Sequence, residues 1–191
     1  MNGMFETDIE AALPVLRNGG LILYPTDTIW GIGCDATDEE AVKKVYALKQ
    51  RSESKSLVVL LADVRDLLQY VSDPPPDITD ILTGFTRPTT VIYEGALGLA
   101  SNVINTDGSI AIRIVQDTFC RHLIKRLRRP LVSTSANISG DPSPAQFSDV
   151  AAPIVNGVDY VVKYRQEETA NNVASRIIRI GKDGSIAIIR E

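Results

Sequence analysis

Short apolar runs along the chain alternate with amphipathic segments. Continuous or alternating apolar residues predict strands, because a strand buried on one or both faces carries apolar side chains at every or every second position. Strands are predicted at residues 21–24, 30–34, 57–62, 89–93, 110–114, 131–134, 160–162, 173–180 and 185–190. The last two flank residues 181–184, whose sequence Gly-Lys-Asp-Gly is typical of a hairpin turn.

Apolar residues spaced three and four positions apart predict helices between these strands. The helices are predicted at residues 7–18, 38–49, 63–71, from the 74–76 proline loop to about 82, and 118–128. Thr7, a capping box of Thr37 with Glu40, and Asp117 are the expected N-terminal caps.

Helices and strands interleave without strict alternation. This pattern predicts an α/β (α+β) fold in which helices flank a twisted mixed sheet. The sequence contains no internal repeat and no low-complexity linker, so we expect a single domain over residues 1–191.

Composition and charge exclude several classes of protein. The 191 residues are 44% hydrophobic and 23% charged, as in ordinary globular domains, and no apolar run approaches the length of a transmembrane helix. A net charge of −4 lacks the basic footprint of a protein that binds duplex nucleic acid. Two cysteines and one histidine exclude a His-rich zinc site and favour the reducing cytoplasm, and the N-terminus lacks a secretory signal.

Glycine-rich sequences give little support for a standard nucleotide fold. Residues 31–36 read GxGxxA, but the preceding strand ends several residues earlier, so glycines in a bent strand are favoured over a dinucleotide-binding turn. The chain contains no GxxxxGK[ST] sequence and is therefore not a P-loop protein.

Two polar segments follow predicted strands. Residues 24–31 (YPTDTIWG) form either a turn that satisfies its own backbone or a rim of hydrogen-bonding groups at a strand end. Residues 133–140 (STSANISG) carry more hydroxyl and amide groups than a turn requires, which favours a surface that holds a polar ligand.

Cations lie beside the predicted buried strands. Lys49, Arg51 and Lys55 follow a helix end, where they either interact with the helix dipole or capture an anion. Arg113 lies within the apolar strand IAIRI, so it either faces solvent or meets an anion, since burying it unpaired is costly.

Residues 121–129 (RHLIKRLRR) place Arg121, Lys125, Arg128 and Arg129 on one predicted helix face. A solvated face is the favoured interpretation, with contact to tRNA or the ribosome as the alternative. The sequence contains no Ser/His/Asp signature, no GxSxG and no metal-ligand cluster. The candidate chemistry is therefore electrostatic, with cations and neutral donors around an anionic ligand.

In order along the chain, the sequences YPTDTIWGIGCDA, KQR, IAIRI and LVSTSANISGDPSP closely resemble those of the YrdC/TsaC family of threonylcarbamoyl-AMP synthases. The resemblance extends from about residue 8 to the C-terminus. It implies a twisted sheet around a concave cavity and a nucleotidyltransferase that joins L-threonine, bicarbonate or CO2, and ATP. The products would be threonylcarbamoyl-AMP, used by a tRNA-modifying transferase complex, and pyrophosphate.

The resemblance also assigns roles to individual residues. It implies that Lys49 and Arg51 are catalytic and hold the triphosphate. The implied threonine-binding residues are Thr28, Arg113, Ser135 and Ser175. The implied ATP-binding residues are Lys55, Ser109, Asn137 and Arg190. Mg²⁺ is expected to be carried with ATP rather than held by a protein-bound metal cluster. Direct tRNA binding stays open as a weakly supported alternative, and no membrane partner is expected.

The chain departs from the family pattern at several positions. Ser52 and Ser56 replace prolines of the loop after Lys49, Val115 replaces a proline after Arg113, and residues 85–90 and 175–179 also differ from the family pattern. The retained KxR and SxN residues favour a synthase over the related YciO-like branch, and no additional C-terminal domain is expected. The alternatives are an RNA- or ribosome-binding module and a nucleotide-binding relative without turnover.

Overall fold

A computed structural model describes residues 5–169, 173–181 and 185–191. The helices in these ranges are α1 (Glu6–Arg17), α2 (Glu39–Lys49), α3 (Ile78–Thr83), α4 (Thr118–Leu127) and α5 (Ala152–Gly157). The strands in these ranges are β1 (Ile22–Tyr24), β2 (Gly31–Gly33), β3 (Val58–Leu61), β4 (Thr89–Tyr93), β5 (Ile110–Ile114), β6 (Leu131–Ser135), β7 (Tyr160–Val161), β8 (Arg176–Ile180) and β9 (Ile186–Arg190).

Within the described residues, all nine strands join one sheet in the order β7-β1-β2-β6-β3-β5-β4-β8-β9. The pairs β1/β7, β3/β5 and β4/β8 are parallel, and the other neighbours are antiparallel. The predicted mixed sheet with flanking helices is confirmed.

Apolar side chains form a core on each side of the sheet. On one side α2 and α5 pack with residues such as Ile32, Val59 and Ile112. On the other side α1 and α4 pack with Ile22, Leu60 and Leu131. Because alternate residues of a strand point to opposite faces, the same strands supply both cores.

The predicted strands at 89–93 and 110–114 are confirmed residue by residue, as is the Asp117 cap, whose carboxylate accepts a hydrogen bond from the Cys120 N–H at 2.8 Å. Strands β8 and β9 pair antiparallel, as expected of a hairpin. Residues 182–184 of its predicted turn lie outside the described residues.

Two predicted caps are wrong. Thr7 lies inside α1, which starts one residue earlier without a side-chain cap. Asp38 caps α2 in place of the Thr37–Glu40 box, because its carboxylate accepts hydrogen bonds from the Glu40 and Ala41 N–H groups at 3.0 and 3.1 Å. The Thr37 hydroxyl donates to Asp35 instead.

Other differences concern short elements. Residues 64–69, predicted to be helical, form a 3-10 helix, and further 3-10 turns lie at Ser101–Val103 and Phe147–Asp149. The short α5 was not predicted from the sequence. No helix among the described residues is long and apolar enough to cross a membrane.

Candidate functional site

Strand register places several candidate residues on one face of the sheet. In β5, Ile110 and Ile112 enter the core beside α2, so Arg113 and Ser109, the residue before the strand, point to the opposite face. Val58 pairs with Ala111 on one side and with Ser133 on the other, so the side chains of these three residues point to the same face. Arg113 and Ser135 each lie two residues further along their own strands and therefore point to that face as well. We call this surface, defined by Ser109, Arg113 and Ser135, the site face.

Arg113 is buried on the site face and lies beside an acid. Its Nη2 is 3.1 Å from Asp27 Oδ1, and the two side chains are 5% and 11% exposed. Asp27 Oδ2 accepts a hydrogen bond from the Gln116 N–H at 3.2 Å. Among the described residues, Arg113 Nε, Arg113 Nη2 and Asp27 Oδ1 are buried without a well-aligned hydrogen-bond partner. The first of the two sequence alternatives for Arg113, exposure to solvent, is therefore wrong.

Lys49 lies at the last position of α2 with only 1% of its surface exposed. Its ammonium donates to Asn137 O at 2.7 Å and Oδ1 at 3.4 Å, and also to Ser135 O. The Ser139 N–H donates to Lys49 O at 2.7 Å. The structure thus brings Lys49, Ser135 and Asn137 together, and Lys49 joins α2 to the polar segment after β6.

The Arg51 side chain forms hydrogen bonds within the loop that follows α2. It donates to Ser56 O at 2.8 Å and to Lys55 O at 3.3 Å, while the Lys55 side chain is exposed. Burial lowers the pKa of the Arg51 guanidinium, although it stays charged at neutral pH. Arg51 is therefore positioned by backbone carbonyls with part of its guanidinium still available to an anion.

The candidate hydroxyls are held by neighbouring polar groups. The Thr28 hydroxyl lies 2.9 Å from that of Thr26, and the Ser175 hydroxyl lies 2.8 Å from that of Thr90. The Ser109 hydroxyl donates to Asp107 and accepts from Asn105, so its contacts lie away from Lys49 and Arg113.

Arg190 joins the group around Arg113. It donates to Ser175 O at 2.7 and 3.3 Å. Burial, and secondarily the charge of Arg113, lowers the pKa of Arg190. An anion bound near both guanidinium groups would offset the repulsion between them.

Eight of the ten candidate residues thus form two groups, to which Lys55 and Ser109 do not belong. Lys49, Arg51, Ser135 and Asn137 surround the end of α2, whereas Arg113, Thr28, Ser175 and Arg190 lie around the central strands. Asp27 was not chosen from the sequence, although it stands between two threonines in the polar segment that follows β1. Its position in that segment was the only available signal.

A cavity of about 600 Å³ lies next to the ends of β3 and β5, beside Asp27. Asp27 lies in its wall together with Gln116, Thr89, Arg87 and Arg121. Pockets of this size accommodate small-molecule ligands. Among the described residues, no group of three or more His, Cys, Asp or Glu side chains is placed to hold a metal ion.

The basic segment 121–129 does not form one helix face. Helix α4 ends at Leu127, Arg128 is its C-cap in a left-handed conformation, and Arg129 pairs with Asp35 at 2.6 Å. The prediction of four cations on one face is therefore wrong for Arg129, because the chain leaves the helix before that residue.

Comparison with known proteins identifies relatives over nearly the whole chain. A Sua5_yciO_yrdC family model, described as telomere recombination, matches residues 14–191. A threonylcarbamoyl-AMP synthase of Idiomarina loihiensis is 32% identical over 165 residues, which cover 85% of this chain and 88% of the relative. A threonylcarbamoyl-AMP synthase of Pseudoalteromonas translucida is 28% identical over 184 residues, or 95% of this chain and 97% of the relative.

Solved structures of P. abyssi Sua5 share the fold. A double variant of that protein superposes with a TM-score of 0.88 at 26% identity, covering 97% of this chain and 56% of the other. Its complex with L-threonine superposes with a TM-score of 0.85 at 24% identity, covering 97% of this chain and 54% of the other. The chain therefore spans little more than half of the P. abyssi protein.

Proposed function

The chain belongs to the Sua5/YciO/YrdC family, and from this premise we propose that it is an enzyme, an L-threonylcarbamoyladenylate synthase. The observation that carries the proposal is the buried Lys49 joined to Ser135 and Asn137 at the end of α2, with a buried arginine, Arg113, on the same sheet face as Ser135. The names of the two synthases and the threonine complex of P. abyssi Sua5 support the same activity.

The reaction requires charge neutralisation and alignment more than a protein nucleophile. The amine of threonine attacks CO2, a nitrogen–carbon bond forms, and a proton is released to give the carbamate. A carbamate oxygen then bonds to the α-phosphorus of ATP while the bond to the bridging oxygen breaks and pyrophosphate leaves. Since the reactants are anionic, positioned cations and donors lower the barrier.

We assign the candidate residues to the two larger substrates by the family resemblance, so that Ser135 and Arg190 are not divided according to the spatial group in which they lie. Lys49 and Arg51 hold the phosphates and stabilise the charge that develops at the α-phosphorus. Asn137, Arg190, Lys55 and Ser109 bind the rest of ATP, with Ser109 and Lys55 supported only by the family resemblance. Arg113, Thr28, Ser135 and Ser175 bind threonine, with Arg113 on its carboxylate.

The finer assignments belong to the same proposal. The reaction class is nucleotidyl transfer, because AMP moves from pyrophosphate to the carbamate. Mg²⁺ enters bound to the phosphates of ATP and offsets their charge. The adenylate then passes to a tRNA-modifying transferase complex in the cytoplasm, and the two free, buried thiols suit that compartment.

Pyrophosphate release tests the proposal directly. Purified protein with ATP, Mg²⁺ and bicarbonate is expected to release pyrophosphate only when L-threonine is added, and mass spectrometry is expected to detect threonylcarbamoyl-AMP. L-valine, which replaces the threonine hydroxyl with a methyl group, is the matched control substrate and should react far more slowly. Threonine-independent loss of ATP, or no release at all, would contradict the proposal.

The pH dependence of ATP binding tests the role of Lys49. Burial, and secondarily the charge of Arg51, lowers the pKa of the Lys49 ammonium to about 8. A lysine with a lowered pKa is charged below that value and loses its proton as the pH rises through it. The affinity for ATP, measured by calorimetry, is therefore expected to fall about tenfold between pH 7 and 9.

The matched variant is Lys49→Arg, because a guanidinium keeps its charge throughout this range. Its affinity for ATP should be nearly constant between pH 7 and 9, whatever its absolute value. A wild-type affinity that does not change over this range would show that the Lys49 proton does not contribute to ATP binding.

A further inference from the structure

Asp27 is a largely buried acid of the site that has no role in the assignments above. It lies in the segment between β1 and β2, with an 11% exposed side chain, directly beside Arg113. The Gln116 N–H fixes one of its carboxylate oxygens, Oδ2, at 3.2 Å. Its other oxygen, Oδ1, therefore has a defined position next to the guanidinium.

The ion pair between Asp27 and Arg113 leaves hydrogen bonds unmade. The two charged atoms are 3.1 Å apart, yet neither Arg113 Nη2 nor Asp27 Oδ1 has a well-aligned hydrogen-bond partner among the described residues, and Arg113 Nε has none either. Buried polar atoms are nearly always hydrogen-bonded, because an unmet donor or acceptor costs free energy. The pair therefore contains one acceptor and two donors whose hydrogen bonds a ligand would complete on reaching these buried atoms.

A ligand that satisfies this pair must present a donor and an acceptor side by side. A phosphate at neutral pH supplies mainly acceptors, and the carboxylate of Asp27 would repel it. Bicarbonate supplies one hydroxyl donor, but it adds a net negative charge beside Asp27. An α-amino acid supplies an ammonium and a carboxylate on adjacent carbon positions and is neutral overall, which matches a neutral acid–base pair.

There is room for such a ligand on one side of Asp27. Asp27 lies in the wall of the cavity of about 600 Å³, whose other polar wall residues include Thr89 and Gln116. The neighbouring Arg190 interacts with Arg113 and adds to the positive charge on the side of the guanidinium. The negative end of a bound ligand is thus directed to Arg113 and its positive end to Asp27.

We propose that Asp27 binds the ammonium group of the amino-acid substrate while Arg113 binds its carboxylate, so that Asp27 selects for an α-amino acid. The inference rests on the proposed function, which requires an amino acid at this site. The proposed role of Asp27 also predicts that the product binds less tightly than threonine and is released. The nitrogen of the carbamate carries no positive charge, so it no longer attracts the carboxylate of Asp27.

The variant Asp27→Asn tests this role, since it keeps the shape of the side chain and removes its charge. The KM for L-threonine is expected to rise about 10- to 100-fold, the loss typical of a charge-assisted hydrogen bond. The KM for ATP should stay within about twofold of the wild-type value. Asp63→Asn is the matched control, because Asp63 lines the same cavity but pairs with the exposed Arg65.

Calorimetry on the wild-type protein provides a second test that does not depend on the variant folding. L-threonine is compared with 2,3-dihydroxybutanoate, in which a hydroxyl replaces the ammonium. The wild-type protein is expected to bind threonine at least about tenfold more tightly, and Asp27→Asn should lose most of that difference. Equal wild-type affinities for the two ligands would overturn the proposal.

The outcomes separate this inference from the proposed function. An active wild-type enzyme whose Asp27→Asn variant keeps a normal KM for threonine would overturn the role of Asp27 alone. A rise in the KM for bicarbonate without a rise for threonine would assign the pair to bicarbonate instead. A wild-type protein without threonine-dependent pyrophosphate release would refute the proposed function itself, while the calorimetric comparison would still report on Asp27.

Discussion

Replacing Arg113 with methionine is expected to abolish threonine-dependent pyrophosphate release and to lower the free energy of unfolding by about 3–5 kcal/mol. The loss of activity follows from the loss of the buried guanidinium proposed to bind the carboxylate. The loss of stability follows because Asp27, whose side chain is 11% exposed, would remain as an uncompensated buried charge. Chemical denaturation and the pyrophosphate assay measure the two effects separately.

The double variant Arg113→Met with Asp27→Leu distinguishes binding from stability. Replacing both members of a buried ion pair by apolar residues is often close to neutral, so stability should recover while activity stays absent. Arg179→Met is the matched control, because Arg179 is also a strand arginine but is 41% exposed and only loosely paired with Asp107 at 3.7 Å. Recovered activity in the double variant would exclude a role for Arg113 in threonine binding.

Replacing Lys49 with methionine is expected to lower kcat/KM by about 10²–10³-fold, the loss seen when a donor that stabilises developing charge is removed. Methionine has a similar length but cannot donate to Ser135 O and Asn137 O. The polar segment after β6 would then lose one of its attachments to α2, and the phosphates would lose a cation. Steady-state kinetics with ATP as the varied substrate measures the effect.

Lys43→Met is the matched control on the same helix. Lys43 is exposed and pairs with Glu40 at 2.7 Å, an interaction that contributes at most about 1 kcal/mol to stability. Its kcat/KM should stay within about twofold of the wild-type value. If Lys49→Met were equally active, the KxR lysine would have only a structural role in this chain.

The departures from the family pattern near Lys49 have a structural counterpart. Ser52 and Ser56 replace the prolines that the resemblance leads one to expect, and both hydroxyls make hydrogen bonds. The Ser52 hydroxyl lies 2.7 Å from that of Ser54, and the Ser56 hydroxyl donates to Asn105. Together with the bonds from Arg51 to the backbone, these contacts hold the loop by hydrogen bonds instead of by proline rings.

Much of the fold and part of the site could be predicted because the signals are local. The alternation of apolar residues specified β4 and β5 residue by residue, since a strand side chain faces one side or the other with period two. The Asp117 cap was equally local, because an acceptor directly before a helix satisfies its free N–H groups. The segments containing Lys49, Ser135 and Asn137 were recognised from their own short sequences.

The tertiary structure alone decided how these local features combine. The sequence did not predict that β6 lies between β2 and β3, or that Asp38 rather than Thr37 caps α2, because strand pairing and competing caps depend on packing. Nor did the sequence predict the contact between Asp27 and Arg113, because these two residues are far apart along the chain. Local sequence determined which residues were polar, apolar or charged. Long-range pairing of the strands determined which charged residues came into contact. Only folding brings distant segments of the chain within bonding distance.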